Sequence, residues 1–134
     1  AIYVPGNGDC AIQDLSGNQL NMAPEHKASV SAVQYFYLDD LGEVSLMAGY
    51  SYIGDQYGRS FNREDWDKID AYDTVDVRMN WTSPEETFTV SLWAKNISDD
   101  RHMITAGAPS TTTRLRTGEV TDPRSYGVKV QYNF

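Results

Sequence analysis

The residues from Arg124 to Phe134 alternate without a slip. Tyr126, Val128, Val130, Tyr132 and Phe134 share one parity; Ser125, Gly127, Lys129, Gln131 and Asn133 share the other. A strand turns successive side chains to opposite faces, so this stretch predicts a strand with one apolar and one polar side. Residues 43–54 repeat the pattern with Val44, Leu46, Ala48, Tyr50 and Tyr52 on one face. Residues 69–81 do so with Val75, Val77, Met79 and Trp81, and residues 87–97 with Phe88, Val90, Leu92 and Ala94. Residues 27–37 are less tidy. Ala28, Val30, Ala32 and Phe36 share a parity that Gln34 interrupts, which predicts a face-swapping bulge near Gln34. Residues 1–26, with Pro5, Gly6, Gly8, Gly17 and Pro24, predict mostly loop, Ala1 to Val4 being the end of an earlier strand. Residues 98–123 also predict loop, with the part through Ile104 prolonging the strand before it.

These five strands have no helical pattern between them, so the chain is all-β, an antiparallel meander. Its connections alternate in length. Residues 38–42 and 82–86 are short; residues 55–68 and 98–123 are long. Every second connection of a meander lies at the same end, so one rim is trim and the other carries long polar loops. Outer-membrane barrels have that asymmetry. Aromatic residues also gather at strand ends. Phe36, Tyr37, Trp81, Phe88, Tyr132 and Phe134 flank the short turns, and Tyr50, Tyr52, Tyr72 and Tyr126 lie toward the long loops. Two such bands predict interfacial girdles. The strands are also longer than the usual soluble strand of about 5–6 residues and run a little beyond the roughly 9–11 that cross a bilayer at a tilt. The polar parity carries Asp76, Arg78, Trp93, Lys95 and Lys129. In a membrane barrel these line the lumen; in a soluble barrel or sandwich the same parity faces out.

The chain has 134 residues, which suits one domain. Its mean hydropathy is −0.52, and it has no run of about 18 apolar residues, so no helix can span a bilayer. The net charge of −8 argues against a nucleic-acid surface. Cys10 is the one cysteine, either a free thiol or a loop cysteine whose partner lies outside this sequence. The start at Ala1 fits a processed secreted protein or a piece of a longer chain.

Candidate chemistry is sparse. Arg59, Arg63, Trp66, Arg114 and Arg116 sit in the long loops and suit an anionic, metal-chelating substrate, or else are ordinary solvated loop residues. Glu64, Asp65, Asp67, Asp70 and Asp73 lack the glycine turn of a calcium loop and read as solvated charge. His26 and His102 are distant in sequence and Cys10 stands alone, so no metal site is expected. No nucleophile-elbow motif occurs, so neither catalysis nor a cofactor is expected. Asn80-Trp-Thr82 and Asn96-Ile-Ser98 read as chance matches to the glycosylation pattern.

Three motifs point to a family. Asp14-Leu-Ser-Gly-Asn-Gln-Leu-Asn-Met-Ala-Pro-Glu25 resembles the loop before one of the last strands of TonB-dependent outer-membrane receptors. Val90-Ser-Leu-Trp-Ala-Lys-Asn-Ile-Ser-Asp99 is similar to that family's penultimate strand, and Pro123 to Phe134 resembles its terminal strand. Gln34 stands where the family usually carries an aromatic.

The resemblance implies a C-terminal segment of a barrel of about 22 strands around a plug. Nothing here resembles the plug or the segment that engages TonB, so the rest of the barrel, the plug and TonB are expected as partners supplied elsewhere. It further implies bacterial outer-membrane uptake of siderophores or other bulky nutrients, without catalysis. Barrel wall, lumen lining and surface loops would come from this chain. Tyr126, Val128, Val130, Tyr132 and Phe134 resemble the signal read by the barrel assembly machinery, and they would also meet lipid. A passive porin-like barrel and a soluble ligand-binding barrel or sandwich remain the rival readings.

Overall fold

The computed structural model describes residues 2–3, 10–11, 14–105, 107 and 117–134. Among them are β1 (Ile2–Tyr3), β2 (Cys10–Ala11), β3 (Lys27–Tyr37), β4 (Glu43–Ile53), β5 (Gln56–Tyr57), β6 (Lys68–Ile69), β7 (Tyr72–Thr82), β8 (Phe88–Lys95) and β9 (Ser125–Tyr132). The five long strands form one antiparallel sheet in the order β3-β4-β7-β8-β9. β1 pairs with β2, and β5 with β6, outside that sheet. The expected strand at 69–81 begins later, at Tyr72, because Lys68 and Ile69 pair with Tyr57 and Gln56 instead.

The register is continuous. Gln34 faces Leu46 within an unbroken ladder from Lys27↔Ile53 to Tyr37↔Glu43, so the expected bulge is absent. Gln34 stays on the apolar parity, and its Nε2 donates to the Tyr35 carbonyl at 2.9 Å, which engages the amide without a kink. Paired positions therefore run in rows across all five strands. One face carries Ala32–Ala48–Val77–Ala94–Tyr126, then Gln34–Leu46–Met79–Leu92–Val128, then Phe36–Val44–Trp81–Val90–Val130. The other carries Val33–Met47–Arg78–Trp93–Gly127 and Tyr35–Ser45–Asn80–Ser91–Lys129.

The apolar rows enclose nothing. Val30, Val128 and Val130 are about two-thirds exposed, and Ile69 is the buried hydrophobic residue among those described. A sheet this long with an outward apolar face has no centre of its own, so its hydrophobic stabilisation must come from whatever covers that face.

Parity corrects the girdles. Tyr37 pairs with Glu43, and Tyr72 with Ile53, so both lie on the polar side. Nearness to a rim placed them in the bands; the pleat removes them. Phe36, Trp81, Phe88 and Tyr132 remain at the short-turn rim, and Tyr50, Tyr52 and Tyr126 at the other. The Phe88 and Tyr132 rings lie 5.0 Å apart, and Phe134 meets Tyr132 edge-on at 4.9 Å. Trp81 Nε1 donates to the Leu41 carbonyl at 2.8 Å, which pins the indole to the turn. From Val44 to Tyr52 the strand rises about 27 Å, or about 21 Å at a tilt of about 40°, close to the roughly 25 Å apolar band of outer-membrane barrels.

The short turns are tightly made. Asp39–Leu41 forms one 3-10 turn, and Gly42 closes it at φ +91°. A Cβ at Gly42 would collide with the Thr82 carbonyl oxygen of the neighbouring turn. Gly42→Ala therefore combines a left-handed backbone with a steric clash, and it should destabilise the complete barrel by about 2 kcal/mol or more. Gly49→Ala, where a Cβ meets open space, should stay within about 0.5 kcal/mol. Urea midpoints in detergent micelles read the difference.

Candidate functional site

The sheet gathers the polar-parity residues on one wall. β7 supplies Asp76 and Arg78, β8 supplies Trp93 and Lys95, and β9 supplies Lys129. A shallow groove of about 360 Å³ runs between Ser29, Thr74, Asp76, Arg78, Trp93 and Lys95. Asp76 Oδ1 accepts a hydrogen bond from the Asn96 amide at 3.0 Å, so this carboxylate is already engaged. No ion pair among the described residues involves Arg78, Lys95 or Lys129. The wall thus presents cationic side chains within a chain of net charge −8.

The long loop at residues 55–68 is built around Asp67. That side chain is fully buried, where an isolated charge is costly unless paired and hydrogen-bonded. Arg59 meets its Oδ1 through Nε and Nη2, both at 2.6 Å, and the Arg63 amide donates to Oδ2 at 3.1 Å. Arg59 also lies 5.6 Å above the Phe61 ring centroid. The expectation of solvated charge is therefore corrected at Asp67, the hub of the loop. Its neighbours in sequence Glu64, Asp65 and Asp70 are exposed. Sequence could not separate them, because all are acids in one polar run.

Residues 14–26 dock on that loop. Asn18 Nδ2 donates to the Ser60 carbonyl at 2.7 Å, Asn62 Nδ2 to the Gln19 carbonyl at 2.9 Å, and the Met22 amide to the Tyr57 carbonyl at 2.8 Å. Tyr57 Oη donates to Glu64 Oε1 at 2.6 Å, and Lys68 Nζ lies 3.6 Å from Glu64 Oε2. The tyrosine hydroxyl first, and Lys68 second, hold the Glu64 carboxyl below the usual carboxylate range. The same hydrogen bond raises Tyr57 above the ordinary phenol value.

Of the five loop candidates, Arg59, Arg63 and Trp66 come together on this one loop. Arg59 is spent on Asp67, Arg63 is exposed, and Trp66 is half-buried. Arg114 and Arg116 lie outside the described residues.

Asn96 is a residue whose role the sequence concealed. It is buried and sits at φ +48°, just after β8. Its Nδ2 donates to the carbonyls of Asp100 and Asp122 at 3.0 and 2.9 Å, and its Oδ1 accepts from Ser98 Oγ. This ends β8 at Lys95, so the chain through Ile104 does not prolong the strand. It turns instead into a ladder of its own, with Ile104 N donating to Glu119 O and Thr121 N to His102 O, each at 2.8 Å. Tyr72 stacks on His102 at 5.7 Å and ties that ladder to the wall. Among the described residues no group of three His, Cys, Asp or Glu is placed to hold a metal.

Two predictions concern the loop. Asp67→Asn leaves Arg59 partly buried without its charge partner, and losing such a pair costs about 3–5 kcal/mol. Protease should then cut residues 55–68 much faster in the variant, with the long strands still protected. The Tyr57–Glu64 contact has a pH window. The depressed Glu64 contributes above its ordinary range, and its contribution fades as pH falls through the depressed value. The raised Tyr57 contributes below the ordinary phenol range, and that contribution fades as pH climbs through the raised value. Protection of the amides across 57–64, taken relative to the intrinsic exchange rate at each pH, should be greatest between those limits and weaker on both sides.

Known proteins supply the comparison. The family described as TonB dependent receptor-like, beta-barrel matches residues 3–97, well over half of the chain. Comparison with curated proteins finds no match. Among solved structures, the ferric yersiniabactin uptake receptor FyuA from Yersinia pestis superposes with a TM-score of 0.77 at 18% identity. The superposition covers 90% of this chain and 18% of that receptor, so the five-stranded sheet shares its fold with one stretch of that barrel. The chain belongs to the TonB-dependent receptor β-barrel family, whose members are transporters of the bacterial outer membrane rather than enzymes.

Proposed function

We propose that this chain forms part of the wall of an active-uptake barrel in the outer membrane, importing a siderophore or similarly bulky nutrient. The observation that carries this reading is the two-faced ladder. Large apolar side chains stand exposed on one side of all five strands, and charged ones on the other. Lipid covers the first side, and Asp76, Arg78, Trp93, Lys95 and Lys129 line the lumen on the second. β3 and β9 each have one unpaired edge in this sheet, which the remaining wall completes, since open edges are not tolerated in hydrocarbon.

A plug inside the barrel and TonB beneath it supply gating and energy, as in the family. Arg63 and Trp66, with Arg114 and Arg116, offer the outward loops to an anionic chelate; the ferric yersiniabactin uptake named for FyuA supports that substrate class. Arg59 contributes there through the loop it holds. Tyr126, Val128, Val130, Tyr132 and Phe134 present the apolar teeth that the assembly machinery reads.

The family match favours this over a passive porin. The absence of an enclosed apolar centre among the described residues speaks against a soluble sandwich.

Tryptophan fluorescence tests the placement. In the complete barrel, reconstituted with brominated lipid, a variant retaining Trp81 alone should be strongly quenched. One retaining Trp93 alone should be spared by bromine and quenched by aqueous iodide, the other tryptophans being Phe. Equal lipid quenching of both contradicts the wall assignment. TonB-dependent uptake of a ferric chelate, reduced in Arg63→Ala and Trp66→Ala cells at unchanged receptor level, tests the transport reading separately.

A further inference from the structure

We propose that Trp93 and Gly127 form a key that sets the register of β9 against β8. The two residues oppose each other on the polar face. The indole lies across the place where a side chain would start. A Cβ on Gly127 would come within 2.6 Å of Trp93 Cζ2, 2.8 Å of Cε2 and 3.0 Å of Nε1. The first two separations are shorter than real Cβ atoms essentially ever show, so the ring occupies its position because residue 127 is glycine.

The consequence concerns sliding. A slip of one residue would invert the faces of β9, and the apolar pattern forbids it. A slip of two keeps both faces, and the apolar side resists it weakly. In one direction Leu92 would trade Val128 for Val130, and Phe88 would trade Tyr132 for Phe134, another aromatic. The polar side discriminates. Ser125, Gly127, Lys129 and Gln131 share that parity in β9, and Gly127 alone lacks a Cβ. A slip of two puts Lys129 or Ser125 beneath the indole, and the ring must leave the strand surface. Gly49 on the same face has open space above it and plays no such part. Aromatic cover of a strand glycine is a known means of pinning register. The inference rests on this pairing geometry and not on the transport reading.

Moving the glycine should move the register. In a Cys10→Ser background of the full chain assembled in its barrel, Gln131→Cys reports the pairing. It opposes Thr89→Cys in the observed register and Ser91→Cys after the slip. Oxidation should join 131 to 89 in the parent and in Gly49→Ala. Exchanging the two residues, as Gly127→Lys with Lys129→Gly, should transfer the disulfide from 89 to 91. Trp93→Leu, which removes the ring, should give both disulfides. Retention of the 131–89 bond alone in the exchanged chain overturns the key. If the exchanged chain fails to assemble, Trp93→Leu decides: a mixture supports the key, and the 131–89 bond alone refutes it.

Discussion

The structure depends on one constraint: strictly period-two pleating carried in register across five antiparallel strands. Each strand alternates, but alternation within a strand does not make a two-faced surface. The surface exists because Ala48 faces Val77, Val77 faces Ala94, and Ala94 faces Tyr126. One slipped residue at any of these seams would fold apolar side chains among charged ones. With Ile69 as the buried apolar residue among those described, packing inside the sheet cannot enforce the order. Backbone pairing, tight turns and cross-strand contacts must do so.

The two rims serve that constraint differently. At the short-turn rim the chain reverses with no slack: Gly42 is left-handed and pressed against the next turn, and Trp81 is bonded to Leu41. Such turns fix strand offset. At the opposite rim the connections are long, yet their described residues are built. Asp67 organises residues 55–68, residues 14–26 lie on top, and Asn96 redirects the chain after β8. Burying a carboxylate in a loop gives it one conformation, because most alternatives strand the charge. A surface of this kind can present exposed groups such as Arg63 from a fixed base.

Much of this was legible in the sequence. The parities of β4, β7, β8 and β9 stand in the alternation itself, because a strand with one apolar and one polar face alternates at a period of two. What escaped depends on contacts between distant positions. Gln34 suggests a bulge because a polar residue breaks an apolar row, yet its amide bonds locally to Tyr35 and the ladder runs on. Tyr37 and Tyr72 lie near a rim along the sequence, whereas their side is fixed by parity. Asp67 and Asn96 looked like ordinary loop polarity, since burial is a property of the folded loop and not of residue type. The meeting of Trp93 with Gly127 crosses a seam that no local pattern reveals.

On the proposed reading, the two faces of one strand lie in two different solvents. Spin labels placed singly at residues 44–51 of β4, in the complete barrel in lipid vesicles, test it most directly through collision with oxygen and with a water-soluble nickel chelate. The expected result is a period of two: oxygen dominates at Val44, Leu46, Ala48 and Tyr50, and the chelate dominates at Ser45, Met47, Gly49 and Ser51. Equal accessibility at both sets, or protection of Val44, Leu46, Ala48 and Tyr50 from both reagents, would contradict it.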